Sequence, residues 1–214
     1  MFRAEFVCVG TALPQPRRYM PRPTPFDRES IEAAFVRIGQ RALEADKVVE
    51  ITVYGGSALV LTFNARPATR DVDAVFEADR AFLRDLAKQI AVENGWDEGW
   101  LNDGVKGFLS HADRESDSRR LFRSYPTEEG AGLRVFVATP AYLFAMKCIA
   151  MRISGVEESR DVEDIKLLAA EIGVRTLDDA IAIVENFYPA DRIPPRTRFG
   201  LEEIVDKIED TSPS

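Results

Sequence analysis

The sequence predicts an α+β fold, in which a mixed β-sheet is flanked by helices and the C-terminal portion of the chain is helical. Three observations carry this prediction. Residues 48–76 have the pattern of a strand, a glycine turn, a short helix and a second strand. Residues 121–125 and 133–137 have the pattern of two strands joined by a glycine-containing loop. From Thr139 onward the chain is dominated by helical patterns.

Length and composition fit one domain of ordinary size with a helical appendage. The chain has 214 residues and is 45% hydrophobic, which is enough for a real core. Residues 1–25 contain five prolines from position 14 onward, and these predict an extended N-terminal arm because proline is excluded from helix interiors. We therefore divide the chain into this arm, a core at 26–138 and a C-terminal helical region at 139–214.

Charge and cysteine content limit the classes of function. The net charge of −8 argues against a broad nucleic-acid-binding surface, which is usually basic. The two cysteines, Cys8 and Cys148, lie far apart in the sequence and fit reduced thiols rather than a disulfide framework. No apolar run reaches the roughly 18 residues that a membrane span needs. We expect a soluble cytoplasmic protein with no membrane partner.

The first predicted helix begins after Asp27, a good N-cap residue. Apolar residues follow at spacings of three and four, which predicts a buried stripe that packs on the sheet. This stripe consists of Ile31, Ala34, Phe35, Ile38, Ala42 and Leu43.

The next unit is a strand that ends in a glycine turn. Residues 48–54 are rich in β-branched and aromatic side chains and lead directly into Gly55 and Gly56. Glycines at such a position allow the backbone to approach a ligand closely. We predict that Ser57 opens a short helix, whose free N–H groups, together with the Ser57 hydroxyl, are suited to holding a phosphate.

Two carboxylates follow on the second strand of this unit. Asp71 and Asp73 alternate with Val72, so a strand places both carboxylates on one face and the valine in the core. Paired hard oxygen ligands that face a phosphate-holding turn suit a magnesium ion bound to a nucleoside triphosphate. We expect a βαβ-like layout, with the ligand beyond the strand ends where the turn meets these aspartates.

A second amphipathic helix is predicted over residues 80–93, with its end at Asn94-Gly95. The following loop contains Trp96 and Trp100, and two interpretations stay open for them: they pin the loop to the core, or they stack a nucleobase. His111 has no histidine or cysteine near it, so we expect a surface residue rather than a zinc ligand.

The C-terminal region begins with Thr139 as N-cap and Pro140 at the first helical position. A further helix opens near Ser159, and in it Asp161 and Asp164 are three residues apart and share a face. Their simplest role is that of helix-start acids stabilised by the helix dipole. Later segments are a helix at 177–187, a proline-rich connector at 188–198 and a terminal helix at 201–208.

These motifs resemble the signature of the DNA-polymerase-β-like nucleotidyltransferase superfamily. The resemblance lies in the Gly-Gly-Ser turn at 55–57 and the Asp-x-Asp at 71–73, and it is nearest to the abortive-infection AbiEii-type toxins and their uncharacterised relatives. Two downstream segments are also similar to these toxins. They are Thr139-Pro140-x-x-Leu143-x-Ala145-Met146-Lys147 and Arg160-Asp161-x-x-Asp164-Ile165.

The resemblance implies a role for each motif. Asp71 and Asp73 would hold Mg²⁺ or Mn²⁺, and Lys147 would neutralise the triphosphate, although a plain surface lysine is the alternative. The nucleoside triphosphate would be held by Gly55, Gly56, Ser57, Arg66, Thr69 and Arg70. Asp161 and Asp164 would be functional as well.

One segment departs from the superfamily pattern. Enzymes of this superfamily commonly bring a third carboxylate from the strand that corresponds to residues 133–137, which reads LRVFV and contains no acid. Three interpretations stay open: another carboxylate completes the site, a single metal ion is held, or the site binds without transferring. Asp161 or Asp164 could supply the missing acid, or could instead hold Lys147 and Arg152 in place.

Three functional hypotheses follow from the sequence. The first is an enzyme that transfers a nucleoside monophosphate to a tRNA end or a protein side chain, as part of a toxin–antitoxin or phage-defence system. The second is a degenerate nucleotidyltransferase fold that serves as a nucleotide-binding or protein-interaction module. The third is a toxin-like domain whose partner is an antitoxin protein that contacts the N-terminal arm.

Overall fold

The structure is a computed structural model that describes residues 25–63, 66–113, 115, 117–151 and 160–209. Its five strands are β1 (Val49–Val53), β2 (Val72–Phe76), β3 (Leu101–Asn102), β4 (Arg119–Pro126) and β5 (Ala131–Ala138). They form one mixed sheet in the order β3-β2-β1-β5-β4. The predicted α+β class is confirmed, while the N-terminal arm up to residue 24 lies outside the described residues.

Helices flank this sheet and make up the C-terminal part of the chain. They are α1 (Arg28–Glu44), α2 (Gly55–Thr62), α3 (Arg80–Asn94), α4 (Pro140–Ala150), α5 (Arg160–Ile172), α6 (Leu177–Phe187) and α7 (Pro195–Glu209), with 3₁₀ segments at Gly104–Phe108 and Ala190–Arg192. In the part of the chain that the structure describes, no helix has both the length and the apolar character needed to cross a membrane.

Strand β1 lies at the centre of the sheet and pairs differently with its two neighbours. It runs antiparallel to β2 and parallel to β5, and β4 and β5 form the predicted antiparallel hairpin. The expected βαβ-like layout around α2 is therefore wrong, because β1 and β2 run in opposite directions. Antiparallel pairing still brings the end of β1 beside the start of β2, which is where the predicted turn and aspartates are.

Helix α1 covers one face of the sheet as predicted. Asp27 caps the helix by accepting a hydrogen bond from the Ser30 N–H at 2.9 Å, and α1 packs on β4 and β5. The predicted stripe is buried with one exception, since Leu43 is 42% exposed near the end of the helix. Opposite this stripe the sheet presents side chains that are fully buried, including Ile51, Val53 and Val135.

An aromatic cluster fixes the loop that follows α3. Gly95 ends α3 with a φ of +66°, which confirms the predicted Asn-Gly stop. Trp96 and Trp100 then pack against each other and against Phe26, and the Trp100 indole donates to the Ala87 carbonyl at 2.9 Å. Both tryptophans thus pin the loop to the core, and His111 is exposed as expected.

The C-terminal helices follow the prediction with one change of boundary. The Thr139 hydroxyl caps α4, and Pro140 occupies its first turn. The predicted helix start at Ser159 lies outside the described residues. Helix α7 begins at Pro195 and not at residue 201, because a proline in the first turn needs no hydrogen-bonded N–H and so starts a helix rather than preventing one.

Two glycines let α1 lie against the hairpin at backbone contact. A Cβ atom on Gly132 of β5 would overlap the carbonyl oxygen of Gly39 on α1. A Cβ atom on Gly39 would in turn overlap the carbonyl of Tyr125 on β4. Neither obstacle is a flexible side chain, so any larger residue at these positions must push the helix away from the sheet.

We expect Gly132→Ala to lower the free energy of unfolding by about 3 kcal/mol, because the added methyl group meets backbone atoms that cannot move aside. Urea unfolding followed by circular dichroism measures this change. Gly107→Ala is the matched control, since a Cβ atom there meets nothing within 4 Å, and it should change stability by less than about 1 kcal/mol. Equal stability of the two variants would contradict the backbone contact.

Candidate functional site

The end of β1 and the start of β2 are joined so that a glycine lies against a carboxylate. The Tyr54 N–H donates to the carbonyl of Asp73 at 2.9 Å, which continues the antiparallel pairing by one residue. A Cβ atom on Gly55 would lie only 2.8 Å from the Oδ2 atom of Asp73, and Gly55 has a φ of +58°. Both constraints restrict this position to glycine.

Helix α2 begins at this glycine. The expectation that Ser57 opens the helix is wrong. The helix already includes Gly55 and Gly56, and Tyr54 is its N-cap. The Ser57 side chain is 1% exposed, and its hydroxyl donates to the Tyr54 carbonyl at 2.8 Å. This hydrogen bond occupies the hydroxyl proton of Ser57, so the side chain does not offer that proton to a ligand.

The helix start nevertheless offers hydrogen-bond donors. The first N–H groups of a helix have no acceptor within it, and the Tyr54 side chain does not cap them. They belong to Gly55, Gly56 and Ser57, and the helix dipole favours negative charge at the same point. The backbone of this turn is suited to an anion next to the Asp73 carboxylate.

Asp71 and Asp73 stand on the same side of the chain, with Val72 fully buried between them as predicted. Strand β3, which the sequence did not reveal, pairs Asn102 with Asp73, and the Asn102 amide donates to the Oδ2 atom of Asp71 at 3.3 Å. Burial and the charge of Asp71 raise the pKa of Asp73, while Lys147 and Asn102 act in the opposite direction.

Lys147 projects from α4 into a pair of carboxylates on α5. Its Nζ atom lies 2.9 Å from Asp161 Oδ1 and 2.8 Å from Asp164 Oδ2, and its side chain is 16% exposed. Burial works to lower the pKa of Lys147, but Asp164 and Asp161 outweigh it and hold that pKa above its usual value. Lys147 is therefore a charged, half-buried cation and not a plain surface lysine.

Arg66 connects the glycine turn to α5. Its Nη1 atom lies 2.9 Å from Asp164 Oδ2, so Asp164 accepts from both Arg66 and Lys147. A Cβ atom on Gly56 would lie 2.8 Å from the same Nη1 atom and 3.1 Å from the Thr69 hydroxyl. The loop is fixed by paired backbone hydrogen bonds between Thr69 and Phe26.

Most of the residues expected at the site thus form one connected group. Arg70 is exposed and lies outside these contacts, and Ser57 contributes its backbone alone. The group runs without interruption through the following residues: Asp71, Asp73, Gly55, Gly56, Thr69, Arg66, Asp164, Lys147 and Asp161.

A cavity of about 280 Å³ opens onto this group. Its charged lining is Asp73, Lys147 and Asp161, next to Gly55. The remainder is apolar or glycine and comes from the 3₁₀ helix Gly104–Phe108 and from α4. Neither the Asn102 amide nor the 3₁₀ part of this lining was predicted, because they depend on a two-residue strand and a short 3₁₀ helix that leave no periodic signal in the sequence.

The chemistry of the donors suits a magnesium or manganese ion. Mg²⁺ in nucleotide sites is commonly held by one or two carboxylates, with substrate phosphates and water as the other ligands. Asp71 and Asp73 meet this description. Burial and the charge of Asp71 raise the pKa of Asp73, and a divalent cation held by these two carboxylates would relieve their mutual repulsion. Within the described ranges, no three or more acidic, histidine or cysteine side chains group into a metal site.

The third acid expected from the superfamily has no counterpart on β5. Its central residues, Leu133–Val137, pair with β1 and contain no carboxylate. Asp161 and Asp164 are both bound to Lys147, so they hold this lysine in place, which was one of the interpretations left open. Arg152, the other residue named in that interpretation, lies outside the described residues.

Comparison of the chain with protein-family models, with curated proteins and with solved structures gives no match.

We expect Asp164→Asn to destabilise the fold more than Asp161→Asn. Asp164 is 9% exposed and binds two cations, whereas Asp161 is 36% exposed and binds one. Breaking a buried pair leaves uncompensated charge, so the losses should be about 3 kcal/mol for Asp164→Asn and about 1 kcal/mol or less for Asp161→Asn. Urea unfolding at pH 7 measures both, and the reverse order would contradict the shared role of Asp164.

The pKa of Asp73 should respond in opposite directions to two neighbours. Asp71→Asn removes the like charge and should lower this pKa, whereas Asn102→Ala removes a hydrogen-bond donor and should raise it. Carboxyl ¹³C chemical shifts of Asp73 followed during a pH titration measure both changes. Because the pKa of Asp73 is raised in the folded state, its contribution to stability falls as the pH rises from the ordinary carboxyl pKa through the raised one.

Proposed function

We propose that this chain is a metal-dependent nucleotidyltransferase, which moves a nucleoside monophosphate from a nucleoside triphosphate to an acceptor hydroxyl. One observation carries the proposal: a Cβ atom on Gly55 would lie 2.8 Å from the Oδ2 atom of Asp73, so the start of α2 lies beside this carboxylate. This arrangement joins a phosphate-binding helix start to a metal-binding carboxylate pair, and a magnesium–triphosphate complex needs both at once.

Different residues of the site would bind the phosphates and the metal ion. The N–H groups of Gly55, Gly56 and Ser57 donate hydrogen bonds to the phosphates at the helix start, and Lys147 lies in the same cavity to balance the phosphate charge. Asp71 and Asp73 would hold the divalent ion, which would neutralise phosphate charge and lower the pKa of the attacking hydroxyl. Arg66 and Thr69 support the turn from the side of the loop.

The chemical step joins the acceptor oxygen to the α-phosphorus and breaks the bond from that phosphorus to the bridging oxygen. Pyrophosphate leaves with the electron pair of the broken bond, and the hydroxyl proton is released to water. The protein contributes orientation and charge, because phosphoryl transfer requires little covalent chemistry from side chains. With two carboxylates on β2 and its flank, the site suits a single metal ion.

The motif likeness to AbiEii-type toxins suggests the biological setting. We propose a tRNA end or a protein side chain as the acceptor, an antitoxin protein as a partner, and a role in a toxin–antitoxin or phage-defence system. A cytoplasmic location suits this role, since nucleoside triphosphates are found there and a free thiol such as that of Cys148 stays reduced.

A second candidate function is a nucleotide-binding or protein-interaction module without transfer activity. The observation that favours it is the absence of an acid in the β5 segment Leu133–Val137. Such a module would keep the turn, Lys147 and the carboxylates on α5, and so would bind nucleotide with the same residues. Transfer of a labelled nucleotide to an acceptor distinguishes the enzyme from the module without transfer activity.

We expect each nucleoside triphosphate to raise the thermal stability of the protein when magnesium or manganese is present, and to do so much less with EDTA. Ligand at about 100 times Kd adds about 2.7 kcal/mol to the free energy of unfolding. Asp73→Asn should abolish the metal-dependent part. Asp85→Asn, an exposed carboxylate on α3, is the matched control and should retain it.

A triphosphate labelled at the α-phosphate then tests transfer. Label that reaches total RNA or protein, and is lost in Asp73→Asn, supports the enzyme. Metal-dependent stabilisation without transfer to either acceptor class supports the binding module. Absence of stabilisation by any triphosphate would contradict the enzyme and the nucleotide-binding module, and would favour the protein-interaction module.

A further inference from the structure

The cavity at the site has an apolar part that the phosphate and metal chemistry does not use. Three charged side chains line it, and the rest of its side-chain surface is hydrocarbon, sulfur or aromatic ring. This apolar lining consists of Val105, Phe108, Leu143, Met146 and Ala150.

Two elements supply the apolar lining in a regular way. On α4, Leu143, Met146, Lys147 and Ala150 follow the spacing of one helix face, so the cation and the apolar residues share a surface. On the 3₁₀ helix, Val105 and Phe108 are three residues apart and therefore eclipse each other. Both residues face the cavity as a consequence of this period.

Phe108 is the aromatic side chain of this lining and is 43% exposed. Its backbone is held firmly, since its carbonyl accepts from the Tyr188 hydroxyl and the Ser110 N–H donates to the Tyr142 hydroxyl at 2.7 Å. A half-exposed ring on a tethered backbone presents a flat apolar surface to a ligand with little loss of conformational freedom.

We propose that Phe108 and Met146 bind the nucleobase of the triphosphate, an inference that rests on the proposed function. A nucleobase is flat, has two apolar faces and is joined through its sugar to the phosphates that the turn and Lys147 would hold. Aromatic side chains stack on such faces, and a thioether packs favourably against an aromatic ring system. The lining places both kinds of group in one cavity with the charged residues.

The same lining predicts weak discrimination between bases. Its polar side chains are Asp73, Lys147 and Asp161, which the proposed function assigns to the ion and the phosphates. A site selects strongly among bases when buried polar groups are left unpaired by the wrong one, and an apolar surface selects only by size. We expect ATP and GTP to bind within about threefold of each other, and both to bind more tightly than CTP and UTP because purines stack over a larger area.

Calorimetric titration of the full chain in magnesium tests the base site, with ATP and inorganic tripolyphosphate as the two probes. Phe108→Ala should weaken ATP about tenfold and leave tripolyphosphate within about twofold, because tripolyphosphate has no base to stack. Phe108→Trp should retain ATP binding. Phe199→Ala on α7, which removes a phenylalanine that is 71% exposed, is the matched control and should change neither.

The outcomes separate this inference from the function on which it rests. Unchanged ATP binding in Phe108→Ala, with tripolyphosphate still bound, overturns the base site and leaves the proposed function standing. Discrimination of more than about 100-fold between ATP and GTP also overturns it, since that requires polar groups that read the base. If neither probe binds the unmodified protein, the proposed function and this inference fail together.

Discussion

The antiparallel pairing of β1 with β2 is the constraint on which the candidate site depends. Strands of five residues are about 17 Å long, so a parallel arrangement would place the start of β2 roughly that far from the end of β1. The observed pairing instead puts Gly55 beside Asp73, where a Cβ atom would lie 2.8 Å from the carboxylate Oδ2 atom. The site continues from this point to Arg66, on the loop between α2 and β2, and to Lys147 on α4.

Charge balance explains why a triphosphate would need a divalent ion here. The connected group contains four carboxylates and two cations, which leaves a formal charge of −2 before any ligand is present. A polyanion would be repelled by Asp71 and Asp73, and the pKa of Asp73 is already raised by burial and by the charge of Asp71. Lys147 is already included in this sum, so it reduces the excess negative charge without removing it. A bound dication restores neutrality at the place where the phosphates would lie.

Local sequence patterns predicted the helices and strands well. They predicted less well how these elements are arranged relative to one another. Alternation around Val72, the Thr139-Pro140 start and the Asn94-Gly95 stop are local signals, and each corresponds to the observed structure. The direction of β2 is not local, since a connection of 18 residues from Tyr54 to Asp71 permits either pairing. The burial of the Ser57 side chain and the place of Asn102 beside Asp71 likewise depend on neighbours that are distant in sequence.

The loop after β3 shows how a polar segment becomes part of a rigid site. Three buried tyrosine hydroxyls tether it: Tyr54 donates to Asp113 at 2.6 Å, Tyr142 accepts from Ser110, and Tyr188 donates to Phe108. Burial raises the pKa of all three tyrosines, so their hydroxyls keep their protons throughout the neutral pH range. Since Tyr54 directly precedes the Gly55 turn, the proposed phosphate-binding helix start and the proposed base-binding ring are held by one set of hydrogen bonds. These hydrogen bonds explain how a loop without a periodic sequence pattern can hold the residues of the proposed binding surface in place.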